Sequence, residues 1–196
     1  MFNRAVLSSS LILALSVPAG AFAATWSIDG AHTDASFSVR HMMVSNVKGR
    51  FDKVEGTVEI DDKDITKSKV SVTIDTKSVD TDNEKRDEHL RGPDFFDVEK
   101  FPTITFESTK VAKSKGGLKV TGNLTIHGVT KSVVLDVEGP SKAIKDPWGM
   151  NRRGLSASTK INRKDFGLTW NNVLEAGGVA VGDEVKITID AEMVNK

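Results

Sequence analysis

Four histidines, His32, His41, His89 and His127, are the side chains of this 196-residue sequence whose ordinary pKa lies near neutrality. Cysteine is absent, which excludes thiolate nucleophiles, thiolate metal sites and disulfides. His32 and Asp34 stand two apart, so on an extended strand both turn to one face. With His41 as a third ligand they could hold a metal and support a metal-assisted hydrolase. Alternatively they begin a strand and bond to nearby backbone. His41 shares the phase of Phe37 and Val39 and is expected to face inward. There it is either a hydrogen-bonded core residue or a partner for the polar end of a ligand. His89 falls in a charged segment and His127 beside a turn glycine, each without a catalytic partner in the pattern. Gly-x-Ser-x-Gly, a phosphate-binding Gly-rich loop and His-Glu-x-x-His are all missing. No catalytic residue, metal ligand or cofactor is assigned, and the chain is not expected to be an enzyme.

The densest basic stretch holds Arg152, Arg153, Lys160, Arg163 and Lys164. It is either a solvated hairpin or a mouth for an anionic headgroup, to which Arg offers paired donors. Over the whole chain 27 Lys and Arg balance 27 Asp and Glu. That balance argues against nucleic acid, or an anionic membrane face, as the default partner.

Strands must position these groups. Ala35, Phe37, Val39 and His41 alternate with Ser36, Ser38 and Arg40, and Lys53 to Asp61 alternates in the same way. The pattern returns at Val70-Val72-Ile74, Ile104-Phe106, Leu118 to Ile126, Val133 to Val137, Leu155 to Ile161 and Val185 to Ala191. One dry face and one wet face is the signature of antiparallel strands. Gly116-Gly117 and His127-Gly128 mark hairpin turns. The result is an all-β, eight-stranded antiparallel domain, and closure into a barrel would remove exposed edges. Two interruptions predict short helices. Thr81-Asp-Asn-Glu84 has capping-box spacing and starts a charged surface helix running to Arg91, where Gly92-Pro93 stops it. Phe166 to Gly178, with Trp170 and Leu174 at helical spacing, predicts the second.

Residues 1–23 have the form of a secretory signal peptide. Arg4 precedes an apolar run over Leu11–Val17, and Ala21-Phe22-Ala23 supplies small residues before a cleavage site at Ala24. The run is well short of the ~20 residues that span a bilayer, so no permanent membrane anchor is expected. Residues 24–196 then form one domain, with its stability coming from its core.

Hollowness decides what such a barrel does. Eight strands can enclose packed side chains or one small ligand. Inward positions rich in Val, Ala, Gly and Thr favour unfilled space. Each buried methylene contributes about 0.8 kcal/mol, so a long hydrocarbon would bind with few polar contacts. A filled barrel would instead be a scaffold for a protein partner.

A longer set of residues, in order, narrows this further: Trp26-Ser-Ile-Asp29, Phe37-Ser-Val-Arg-His41, Val47-Lys-Gly-Arg-Phe51, Arg86-Asp-Glu-His-Leu-Arg91, Asp94-Phe-Phe-Asp97, Phe101-Pro-Thr-Ile-Thr-Phe106, Leu124-Thr-Ile-His-Gly-Val-Thr-Lys131, Arg163-Lys-Asp-Phe-Gly167 and Val181-Gly-Asp-Glu-Val185. Together they resemble the YceI family of lipocalin-like, polyisoprenoid-binding proteins, and the likeness runs through the mature chain. One departure is Arg153-Gly154-Leu155, where the family has a small residue, Gly, then Phe. The resemblance implies a lipocalin-like β-barrel around the tail of a long isoprenoid lipid, such as an isoprenoid quinone or a polyprenyl phosphate. It also implies a periplasmic location, a homodimer and no catalytic activity; the expected role is a periplasmic carrier or sink. On strand phase, Phe37, Val39, Val58, Ile60, Val72, Ile74, Phe106, Leu124, Ile126 and Leu135 are assigned to the tail. His41 and Arg152 are assigned to the polar end.

Overall fold

Each stretch of alternating polarity folds as a strand. The computed structural model describes residues 23–175 and 177–196, so the expected signal peptide, Ala23 apart, lies outside the described residues. In chain order the elements are β1 (Ala24–Ile28), β2 (Asp34–His41), β3 (Ser45–Phe51), β4 (Val54–Ile60), β5 (Lys69–Asp75), β6 (Val79–Asp80), α1 (Glu84–Arg91), β7 (Thr103–Ser114), β8 (Gly117–Ile126), β9 (Val129–Glu138), β10 (Ile144–Lys145), β11 (Asn151–Asn162) and β12 (Val181–Asn195).

Register shows that some of these are halves of longer strands. On one side β1 and β2 both pair with β12, as Ser27↔Val194 and Ala35↔Ile189. On the other side they pair with β4 and β3, as Trp26↔Val58 and Phe37↔Gly49. β1/β2 is thus one strand interrupted by a single helical turn at Gly30–His32, and β3/β4 is one strand bent at Asp52-Lys53. Counted in this way, eight antiparallel strands run up and down in chain order and close on themselves through β12. β11 and β12 pair over twelve positions, from Asn151↔Asn195 to Asn162↔Glu184. Strands of that length have a contour of about 40 Å at ~3.3 Å per residue. Tilted by ~35–45° as barrel strands are, they make a cylinder about 30 Å tall.

The long connection from β5 to β7 carries α1 across one end of this cylinder. The cap of α1 differs from expectation. Asn83, not Thr81, is the N-cap, its Oδ1 accepting from the Arg86 amide at 3.1 Å. Asp82 adopts φ 58°, which turns the chain before the helix begins. Thr81 is thereby buried, and both its amide and its hydroxyl donate to Asp87 Oδ1. The second expected helix does not form. A short 3-10 turn at Arg163–Phe166 ends on Gly167 at φ 80°, and Val173 then bridges to Val179. The reason lies in Arg163: its buried guanidinium donates to the carbonyls of Leu168, Trp170, Val181 and Gly182. The Leu168 and Trp170 carbonyls that would begin a helical ladder are turned to it instead.

Candidate functional site

The strands place their apolar sides inward, yet many of those side chains stay only half-buried. Val70, Val72 and Ile74 of β5 and Val185, Ile187 and Ile189 of β12 are examples. In a filled barrel they would be sealed by their opposite neighbours. Here the surface they keep faces a cavity of about 450 Å³, within the roughly 300–1,000 Å³ range of ligand pockets. Its walls are almost entirely hydrocarbon. A filled scaffold would not leave this space.

Two glycines help to keep the axis clear. A Cβ at Gly49 would come within 2.4 Å of Phe37 Cζ, and one at Gly122 within 2.4 Å of Phe106 Cζ. Each ring is folded over a glycine of the neighbouring strand, so it covers the wall rather than crossing the lumen. Cross-strand packing of an aromatic on a glycine also compensates the strand for the missing side chain.

One end of the cavity is a floor. Trp26, Val58, Ile60 and Met193 form a separate buried cluster there. The Arg153 guanidinium lies 4.9 Å from the centre of the Trp26 ring and pairs with Asp62 at 2.8 and 3.0 Å. At the other end the lining side chains also meet solvent: Arg40, His41, Arg86, His89 and Trp170. The helix α1 roofs this mouth with Arg86, His89 and Leu90. Arg86 is fixed by Thr81, donating from Nε to the hydroxyl and from Nη2 to the carbonyl, each at 2.7 Å. His89 Nε2 lies 2.9 Å from Asp94 Oδ2, and its ring stands edge-on to Trp170 at 4.9 Å and Phe95 at 5.0 Å. Below them Arg163 ties the loop to the barrel. Burial pushes the pKa of that guanidinium down, and nearby Asp183 opposes the shift.

The cavity brings together eleven of the residues assigned from the sequence. Phe37, Val39, His41, Val58, Ile60, Val72, Ile74, Phe106, Leu124, Ile126 and Leu135 all line it. Arg152 does not. Inward positions of β11 run Leu155, Ala157, Thr159 and Ile161, so strand alternation sends Arg153 in and Arg152 out. Outside the barrel Arg152 is held by Asp146 at 2.7 Å, Asp29 at 2.8 Å and Glu192. The guanidinium holds the Asp29 and Asp146 carboxyls below their ordinary pKa, and they in turn raise its own. It is a structural clamp, not a headgroup ligand.

The metal-hydrolase trio is not assembled either. His32 sits outside the barrel, Nδ1 3.0 Å from Asp29, and exposed Asp34 accepts from Ser36. His41 is seven residues further along the same strand, about 23 Å away at ~3.3 Å per residue. Asp29, His32 and Glu192 do converge within 4.8 Å. The Arg152 guanidinium already donates to both of those carboxylates. Arg86 and His89 were missed from the sequence because α1 was expected on the open surface. A signal was present: Arg86, His89 and Leu90 fall at i, i+3 and i+4 and so share one helix face.

Comparison with known proteins agrees with this geometry. A profile of the YceI-like domain matches residues 26–193. A UPF0312 protein of Vibrio parahaemolyticus is 42% identical over 167 residues, covering 84% of this chain and 88% of the relative. One from Yersinia pestis is 42% identical over 171 residues, covering 86% and 88%. Among solved structures, the YCEI protein of Campylobacter jejuni superposes with a TM-score of 0.67 at 37% identity, covering 86% of this chain and 96% of that one. A polyisoprenoid binding domain from Saccharophagus degradans shares the fold, with a TM-score of 0.62 at 17% identity over 86% and 97% of the two chains.

Proposed function

We propose, from the premise that this chain belongs to the YceI-like family, that it binds a long isoprenoid lipid and acts as a periplasmic carrier or sink for it. The observation that carries this is the unfilled lumen, walled by hydrocarbon from the Trp26 floor to the mouth beneath α1. Such a wall offers no hydrogen bonds, so it selects for a long apolar chain and is indifferent to fine structure along it. At about 0.8 kcal/mol per buried methylene, tail burial alone supplies tight binding. The polyisoprenoid-binding domain that shares this fold supports an isoprenoid as the ligand.

The tail would run along Phe37, Val39, Val58, Ile60, Val72, Ile74, Phe106, Leu124, Ile126 and Leu135. Its polar end would lie at the mouth, near His41, Arg86 and His89, which takes the place first given to Arg152. A quinone or a polyprenyl phosphate both suit these donors. Binding requires no bond to be made or broken. Among the described residues no helix is long and apolar enough to cross a membrane. Export to the periplasm with a mature N-terminus at Ala24, and assembly as a homodimer, complete the reading.

Lipid extraction from the purified exported protein, followed by mass spectrometry, tests it. An isoprenoid quinone or polyprenyl phosphate at near-stoichiometric amount is expected. A barrel recovered empty from a host rich in such lipids would overturn it. N-terminal analysis of the periplasmic fraction should begin at Ala24, and sedimentation should give twice the mass of the mature chain.

A further inference from the structure

The turn joining β2 to β3 has an unsuitable sequence for its shape. Met42 and Met43 adopt φ 46° and 62°, and the Val44 amide donates to the His41 carbonyl at 3.1 Å. His41–Val44 is therefore a type I′ turn, in which Asn-Gly is the favoured central pair because both positions need positive φ. Here the pair is Met-Met, followed by Val. All three side chains face solvent, Met42 46%, Met43 54% and Val44 77% exposed. Neither the turn nor solubility gains from that choice, and strain of this kind is kept where it has a use.

Its position suggests the use. His41 and Arg40, immediately before the turn, line the cavity mouth, and Arg40 Nη2 donates to the Met43 carbonyl at 2.8 Å. The Met42 amide donates to the Ala180 carbonyl at 2.8 Å, which ties the turn to the loop that carries Val173. Val173 is 85% exposed. Two adjoining loops, linked through Ala180, thus carry large exposed apolar side chains at the end of the barrel where the hydrocarbon-lined cavity opens.

We propose that Met42, Met43, Val44 and Val173 form a docking rim that enters the apolar boundary of a lipid bilayer, with the mouth of the barrel against the membrane. The proposal rests on the cavity being a lipid site, since it explains how an insoluble tail passes between bilayer and lumen without crossing water. Four side chains are far fewer than the roughly 20–30 residues a side of a stable protein interface. A bilayer needs no matching partner surface, and apolar side chains enter its headgroup boundary with reversible affinity. Attachment by insertion also fits a chain whose charges balance.

The test is co-sedimentation of the exported chain with vesicles of phosphatidylethanolamine and phosphatidylglycerol, with uptake of detergent-solubilised polyprenol measured separately. Met42→Asn/Met43→Gly should raise the unfolding midpoint, because the new pair suits the turn, and should lower vesicle partitioning at least tenfold (about 1.4 kcal/mol). Val44→Ser/Val173→Ser should lower partitioning similarly, and polyprenol uptake should be unchanged in both variants. Attachment of the wild type should persist at about 0.5 M salt, where charge attraction is screened. A wild type that does not sediment overturns the proposal, as do variants that sediment equally well. Self-association sensitive to these variants, in place of vesicle binding, would assign the rim to a second copy and also overturn it. Variant-sensitive sedimentation of a protein that takes up no polyprenol supports the rim and counts instead against the cavity as a lipid site.

Discussion

Arg152 and Arg153 are neighbours of the same type with opposite fates, and strand parity decides between them. Parity was readable from Leu155, Ala157, Thr159 and Ile161, yet the density of positive charge drew Arg152 to the mouth. Its three carboxylate partners come from residues 29, 146 and 192, separations that no local pattern reveals. Because Asp29 and Asp146 titrate below their ordinary value of 3.8, the stability they lend is complete above that pH. It is lost only as pH falls through the lowered folded-state pKa. Arg152→Met should therefore lower the unfolding midpoint at neutral pH, and the gap from wild type should close only below about pH 4. Acid titrations of the two proteins followed by circular dichroism check this; a gap that already closes near pH 6 would remove the clamp. Arg163 was grouped with the same basic stretch, but it is buried beneath the mouth. Arg163→Met would leave the carbonyls of Leu168, Trp170, Val181 and Gly182 without their donor. At ~1–3 kcal/mol for an unsatisfied buried group, with water reaching some of them, a loss of about 3 kcal/mol in urea unfolding is expected.

At the scale of elements, the strands were legible because period two survives in each of them, from Phe37 and Val39 to Val185 and Ile187. What alternation does not carry is where a strand breaks, since β1/β2 and β3/β4 read as separate segments until their shared partners are known. Helical spacing misled at Trp170 and Leu174, where a distant arginine outcompetes the local ladder. It also understated α1, a charged helix whose one apolar residue, Leu90, marks the face that covers the cavity. Glycine in mid-strand carries a meaning that only the register discloses: Gly122 is the space that the Phe106 ring occupies. Gly122→Val should drive that ring off the wall and toward the axis. Overpacking of this kind costs about 1–3 kcal/mol, measurable by urea unfolding, and the displaced ring should also weaken polyprenol uptake. Gly122→Val with stability and uptake both unchanged would show that the ring has another place to lie.

The whole molecule leaves its own core incomplete. Leu124, Phe106 and Ile126 line the lumen but keep little surface toward it, whereas Val72 and Leu135 keep more. A tail in that space would supply the contacts the chain withholds, so ligand and core become one packing problem. Binding to the folded state alone stabilises by about 2.7 kcal/mol when free ligand is a hundred times Kd. For a chain of this size each kcal/mol moves the midpoint by about 2–4 °C, so polyprenol should raise the midpoint of delipidated protein by about 5–10 °C. The two classes of lining residue should then respond differently to enlargement. Val72→Trp adds a ring into vacant space and should change the stability of the delipidated protein by less than about 1 kcal/mol, whereas Leu124→Trp meets packed neighbours and should cost about 1–3 kcal/mol. With the lumen blocked, Val72→Trp should lose the thermal response to polyprenol while keeping the fold. Calorimetry of the delipidated wild type and the two variants, with and without polyprenol, separates vacancy from mere softness. A compliant but occupied core would absorb both tryptophans alike, and its midpoint would not respond to the lipid.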